Sequence, residues 1–155
     1  MLRALRAFSD EGVEYVLIGA AAMGVHGIVR ATEDLDMIVR ATAENVARLQ
    51  RALRSVYGSD PSIDEISADD LLGDYPAVRY YPPTGDLYFD VMIRLGTAGS
   101  RYESIAAEVK EVAGVPIRVA SPLALYRLKR DTVRPLDRQD ATMLQQAFDL
   151  KDDEQ

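Results

Sequence analysis

The chain has 155 residues, 48% of them hydrophobic, with 25 acidic against 18 basic side chains, a net charge of −7 and no cysteine. That length supports one domain with a real core and is short for two. Without cysteine there is no disulfide framework and no thiolate metal site, so a cytoplasmic location is the expectation. No apolar run is long enough to span a membrane. The acidic balance argues against a broad electrostatic surface for nucleic acid, which rests on many Lys and Arg contacts to phosphate, and leaves room for a small basic cleft.

In chain order, Met1–Gly12 (MLRALRAFSDEG) reads as a short amphipathic helix. Asp10 and Glu11 interrupt it, and it lacks the apolar core of a secretion signal. Val13–Ile18 (VEYVLI) is a short buried strand, and Gly19 with Ala20, Ala21 and Ala22 suits a tight strand-to-helix turn. Asp34–Val39 is the second strand. Thr42 is an N-cap for a helix over Ala43–Arg54, whose Val46, Leu49 and Leu53 recur at helical spacing. Tyr57–Asp74 is polar and turn-rich, with one helical turn near Ala68–Leu72. Ala77–Tyr81 and Asp86–Ile93 flank Pro82-Pro83-Thr84-Gly85 as a hairpin. Glu108–Val112 and Val115–Val119 flank Ala113-Gly114 as a smaller one. Ser121-Pro122 starts a helix, with serine as N-cap and proline at the first helical position. A last helix covers Leu136–Leu150. No repeat or interdomain linker interrupts residues 1–150, which read as one α/β domain, and 151–155 form an acidic tail.

The chemistry concentrates in Arg30–Val39 (RATEDLDMIV). Residues i and i+2 of a strand point to one face, so Asp34 and Asp36 project together. Two like charges held that close repel unless a cation sits between them. A divalent metal is the simplest such cation, and Mg²⁺ is usually held by one or two carboxylates together with substrate phosphates. Asp90, inside Leu87–Ile93 (LYFDVMI), is an acid in an otherwise apolar strand and is costly to bury without a partner. If its strand lies beside that of Asp34 and Asp36, three carboxylates converge and can hold Mg²⁺ or Mn²⁺ for in-line displacement at a triphosphate. Gly19, closing a buried strand and opening a helix, lets backbone N–H groups approach phosphate.

These residues resemble the nucleotidyltransferase fold of the DNA polymerase beta superfamily: a glycine closing the first strand, Asp-x-Asp on the next, and a later lone acid within a strand. Gly19–Gly27 (GAAAMGVHG) followed by Arg30–Asp36 (RATEDLD) looks most like its small bacterial branch, which includes the AbiEii-type toxins of type IV toxin–antitoxin systems. Ser121–Leu144 resembles the Lys…Arg-x-x-Asp-x-x-Asp segment of such proteins. The resemblance implies a small mixed sheet flanked by helices. It implies Asp34, Asp36 and Asp90 as catalytic metal ligands, and Gly19 and Ala20 as the phosphate-binding turn. It also implies transfer of NMP from an NTP to an RNA 3′ end or a protein hydroxyl, with a cognate toxin or antitoxin as partner. Ala20 stands where the family usually has serine or glycine, which removes one hydroxyl contact to phosphate. A non-catalytic nucleotide-binding or protein-interaction module that kept the fold is the alternative.

Other residues carry two readings each. Arg30 either clamps a phosphate bidentately or pairs with Glu33 or another surface acid. Thr32 either serves the nucleotide or makes a local hydrogen bond to backbone. Lys129 and Arg134 reach the triphosphate, or Lys129–Asp140 and Arg134–Asp137 pairs pin the last two helices together. His26, the only histidine, suits a helix-end or loop role. Tyr75, Tyr80, Tyr81 and Tyr88 either stack on a base or pack across the hairpin.

Overall fold

The computed structural model describes residues 1–95 and 99–151. Residues 152–155, most of the expected acidic tail, lie outside the described residues. Six strands form one mixed sheet: β1 (Tyr15–Ile18), β2 (Asp34–Val39), β3 (Ala77–Tyr80), β4 (Tyr88–Met92), β5 (Ala107–Val112) and β6 (Val115–Ala120). The helices are α1 (Leu2–Asp10), α2 (Gly19–Val25), α3 (Ala43–Tyr57), α4 (Ala68–Leu72), α5 (Pro122–Arg130) and α6 (Pro135–Phe148), with a 3₁₀ turn at Pro61–Glu65. Across the sheet the order is β3-β4-β2-β1-β6-β5.

Both expected hairpins form, and they become opposite edges of the sheet. β1 and β2 pair antiparallel at the centre. β4 joins β2 in parallel, and β6 joins β1 in parallel. The outer strands β3 and β5 are antiparallel to β4 and β6. Ala113 and Gly114, with φ of 51° and 77°, make a tight two-residue turn between β5 and β6; positive φ at both central residues matches the twist of the flanking strands.

β1 is buried along its whole length, as expected of a strand covered on both faces. β2 starts in alternation: Asp34 and Asp36 are half-buried while Leu35 and Met37 are buried, and Ile38 and Val39 then close the strand in the core. Phe89 lies opposite Leu35 in β4 and shares its face. Its ring meets Phe8 of α1 at 6.1 Å and Tyr57 of α3 at 6.1 Å. Helices α1 and α3 therefore cover the Leu35/Phe89 face, and the acids project from the other.

Side-chain caps explain where α3 and α5 start. Thr42 accepts from the Asn45 N–H at 3.1 Å, and Ser121 from the Ala124 N–H at 3.1 Å, each satisfying an N–H that has no partner inside its helix. Helix α3 runs three residues beyond the expected Arg54, to Tyr57, because Tyr57 packs on Phe89 and Tyr80. Buried Asn45 fastens α3 to the sheet. Its amide donates to the Glu14 carbonyl at 2.8 Å and the Arg40 carbonyl at 3.0 Å, and its Oδ1 accepts from the Glu14 N–H at 2.7 Å. With every polar group of that side chain engaged, its burial carries no desolvation penalty of an orphaned group.

Candidate active site

Parallel pairing of β2 and β4 puts Asp36 directly opposite Asp90 and Asp34 opposite Tyr88. One carboxylate oxygen from each of Asp34, Asp36 and Asp90 lies within 4.8 Å of the others. Thr32, in the loop before β2, donates to the Asp34 carbonyl at 2.7 Å and to Asp34 Oδ1 at 3.2 Å, which fixes the rotamer of that acid. The local backbone contact expected of Thr32 is thus formed, and it also orients a candidate ligand.

Gly19 opens α2 at the end of β1, where Ile18 pairs with Asp36. Its φ is +72°, and a Cβ built there would run into Asp36 Oδ2 and come within 3.2 Å of the Asp36 Cβ. A side chain at position 19 is excluded on both counts: left-handed backbone strain and collision with the central acid. Crowding also sets the charge state of Asp36. Burial first, then Asp34 and then Asp90 push its carboxyl up to about 8. Without a cation, the cluster retains a proton.

Arg79 is a residue of the site that sequence reasoning missed. It lies in β3 opposite Asp90 and grips both carboxylate oxygens, Nε to Oδ1 at 2.7 Å and Nη2 to Oδ2 at 3.2 Å. Its guanidinium stacks over the Tyr88 ring at 4.7 Å, and Nη1 reaches the Tyr81 hydroxyl at 3.4 Å. Counting outward from the Pro82–Gly85 turn sets residue 79 across from 88, whereas the observed register sets it across from Asp90, so the hairpin pattern alone did not identify the pair. Of the four hairpin tyrosines, Tyr80 is core, stacked on Phe89 at 6.0 Å with its hydroxyl donating to Asp60 at 2.8 Å. Tyr81 packs on Tyr88 at 5.2 Å, and Tyr75 and Tyr81 are exposed.

Arg30 and Lys129 converge on Asp140, a fully buried acid of α6. Lys129 Nζ donates to Asp140 Oδ2 at 2.8 Å, and Arg30 Nε stands 3.2 Å from Asp140 Oδ1 without hydrogen-bond alignment. The Lys129–Asp140 pair expected from helical spacing is formed, and the acid that meets Arg30 is this one rather than a surface acid. Asp137 accepts from Lys129 at 3.4 Å and from the Thr132 hydroxyl at 2.9 Å. His26 caps the C-terminus of α2 and, buried, donates from Nε2 to the Ala120 carbonyl at 2.7 Å, so the helix-end role holds.

A glycine turn after the first strand, Asp-x-Asp on its neighbour and a third acid in register on the next strand belong to a mixed sheet of nucleotidyltransferase fold. Among solved structures the chain is similar to ANT(2″)-Ia in complex with adenylyl-2″-tobramycin, with a TM-score of 0.53 and 17% identity over 94% of this chain and 85% of that one. At that identity the likeness is one of fold. No family model matches the sequence, and no curated protein matches it. Among the described residues no helix is long and apolar enough to cross a membrane.

Proposed function

We propose that the protein is a nucleotidyltransferase that moves a nucleoside monophosphate from an NTP to an acceptor hydroxyl and releases pyrophosphate. The observation that carries this reading is the convergence of Asp34, Asp36 and Asp90 within 4.8 Å, on a fold shared with ANT(2″)-Ia. All three donors are hard carboxylate oxygens, and the proton retained on Asp36 up to about 8 marks a deficit of positive charge. That donor set fits Mg²⁺ or Mn²⁺. Asp34, Asp36 and Asp90 would hold it, and it would supply charge neutralisation at the triphosphate and a more acidic acceptor hydroxyl.

The chain's own residues position the rest. Thr32 orients Asp34, and Gly19 leaves Asp36 its space. The N–H groups of Gly19 and Ala20 lie in the first turn of α2, where a helix gives its donors no internal partner, and they face the phosphates. The acceptor oxygen attacks the α-phosphorus in line, the bond to the bridging oxygen breaks and pyrophosphate leaves. Asp90 takes the acceptor proton. Arg30 and Lys129, held by Asp140, act on the nucleotide through the loop that leads into β2. RNA 3′ ends and protein hydroxyls are the acceptor classes, with a toxin or antitoxin as cognate partner.

The test is label transfer from each of four α-labelled NTPs with Mg²⁺ or Mn²⁺, offering total tRNA, cell protein and tobramycin as acceptors. The control is a folded Asp34→Ala/Asp36→Ala variant. Label that the variant does not transfer supports the reading and names the acceptor. The Arg79–Asp90 pair favours a second reading, a nucleotide-binding or protein-interaction module without turnover, because it occupies both oxygens of the third acid. NTP binding without transfer to any acceptor supports that one.

A further inference from the structure

The side chain of Arg79 is half-exposed, at 50%, whereas that of Asp90, which it grips, is 19% exposed. The cation therefore has more solvent to move into than the acid does. Strand pairing aligns Arg79, Asp90, Asp36 and Ile18 in one row across β3, β4, β2 and β1, and Gly19 follows directly after Ile18. Arg79 thus stands at the outer rim of the cluster and the glycine turn at its inner end. The ring of Tyr88 under the guanidinium and the hydroxyl of Tyr81 beside it support the arginine independently of Asp90. A guanidinium fork matches phosphate as well as it matches carboxylate.

Resting on the nucleotidyl-transfer reading, we propose that Arg79 is a transferable cation: it neutralises Asp90 while the cluster lacks a divalent cation, and passes to the nucleotide's phosphates when Asp90 is engaged elsewhere. A bidentate guanidinium on both oxygens of Asp90 competes with a divalent cation for that carboxylate's charge and lone pairs. Displacing Arg79 from Asp90 leaves a positive charge on the rim, supported on Tyr88, where a polyanionic substrate needs it. Divalent cation and triphosphate then bind cooperatively, each favouring the state that the other requires.

The experiment compares wild type, Arg79→Gln and Arg79→Lys. Mn²⁺ binding is read by electron paramagnetic resonance of the free ion, and Mg²⁺–tripolyphosphate binding by calorimetry. Arg79→Gln is expected to bind Mn²⁺ alone more tightly and Mg²⁺–tripolyphosphate more weakly, each by roughly 5- to 150-fold. Arg79→Lys, with the charge but not the fork, recovers part of the tripolyphosphate affinity. In wild type the Arg79 Nε–H resonance, assigned by its loss in Arg79→Lys, shifts when Mg²⁺ is added and again with tripolyphosphate. A resonance that Mg²⁺ does not move, or variants that change both affinities in one direction or neither, overturn the inference alone. Wild type that binds neither Mn²⁺ nor Mg²⁺–tripolyphosphate overturns the nucleotidyl-transfer reading and this inference with it.

Discussion

Asp140 and Asp36 are both aspartates inside this fold, and their surroundings are opposite in charge. Asp140 has no solvent exposure and two cations beside it, Lys129 at 2.8 Å and Arg30 at 3.2 Å. Asp36 is only half-buried and sits against two other carboxylates. With Asp137 also on Lys129 at 3.4 Å, the first cluster sets two acids against two cations, and it joins α5, α6 and the loop before β2. The second is held together against its own repulsion by the strands that carry it. Balance stabilises a fold; an imbalance maintained at an accessible place creates a demand for an external cation, and such sites are where function concentrates.

The contrast breaks most sharply when each centre is removed. Asp34→Ala/Asp36→Ala is expected to lower nucleotidyl transfer at least roughly 10³-fold without lowering the melting temperature, because it relieves repulsion. Label transfer and thermal melts check both halves. Asp140→Ala is expected to destabilise the fold by about 3–5 kcal/mol, since it takes from Arg30 its buried carboxylate and leaves Lys129 only Asp137 at 3.4 Å; urea unfolding measures it. A loss under 1 kcal/mol would remove the distinction between the two centres.

Gly19→Ala sharpens the comparison from the backbone side. Positive φ and the collision with Asp36 predict a loss of about 1–3 kcal/mol together with weaker Mn²⁺ binding, because the central acid is displaced. The last effect is on pH. Folded Asp36 keeps its proton up to about 8, whereas an unfolded aspartate loses it near 4. Between those values the folded state binds more protons, so this contribution to stability is fully present below about 4 and is lost as pH rises through about 8. Without divalent cation, the melting temperature is expected to fall over that window, and the increase on adding Mg²⁺ to grow over it. Asp36→Asn should flatten both trends, which melts from pH 5 to pH 9 check.

Most elements were legible because their signals are local. The Thr42 and Ser121 caps, the Ala113-Gly114 turn and the period-2 acids at 34 and 36 need only neighbours in sequence to be read. Helix α3 ran past its expected end because Tyr57 is held by rings from β3 and β4, a contact with no trace in the helix's own spacing. Arg79 was overlooked because a lone arginine in a hairpin strand looks like any solvated charge until its partner across the strand is identified.

By itself, the sequence determined the candidate carboxylates, the glycine turn and the α/β class, since these follow from side-chain chemistry and short-range periodicity. Only the tertiary structure decided that β4 lies beside β2, in the register that sets Asp36 against Asp90. It also decided that Arg79 holds Asp90 and that Arg30 meets Lys129 at one buried acid. Those facts depend on which distant strands and helices share apolar faces, a choice made by packing the whole core at once.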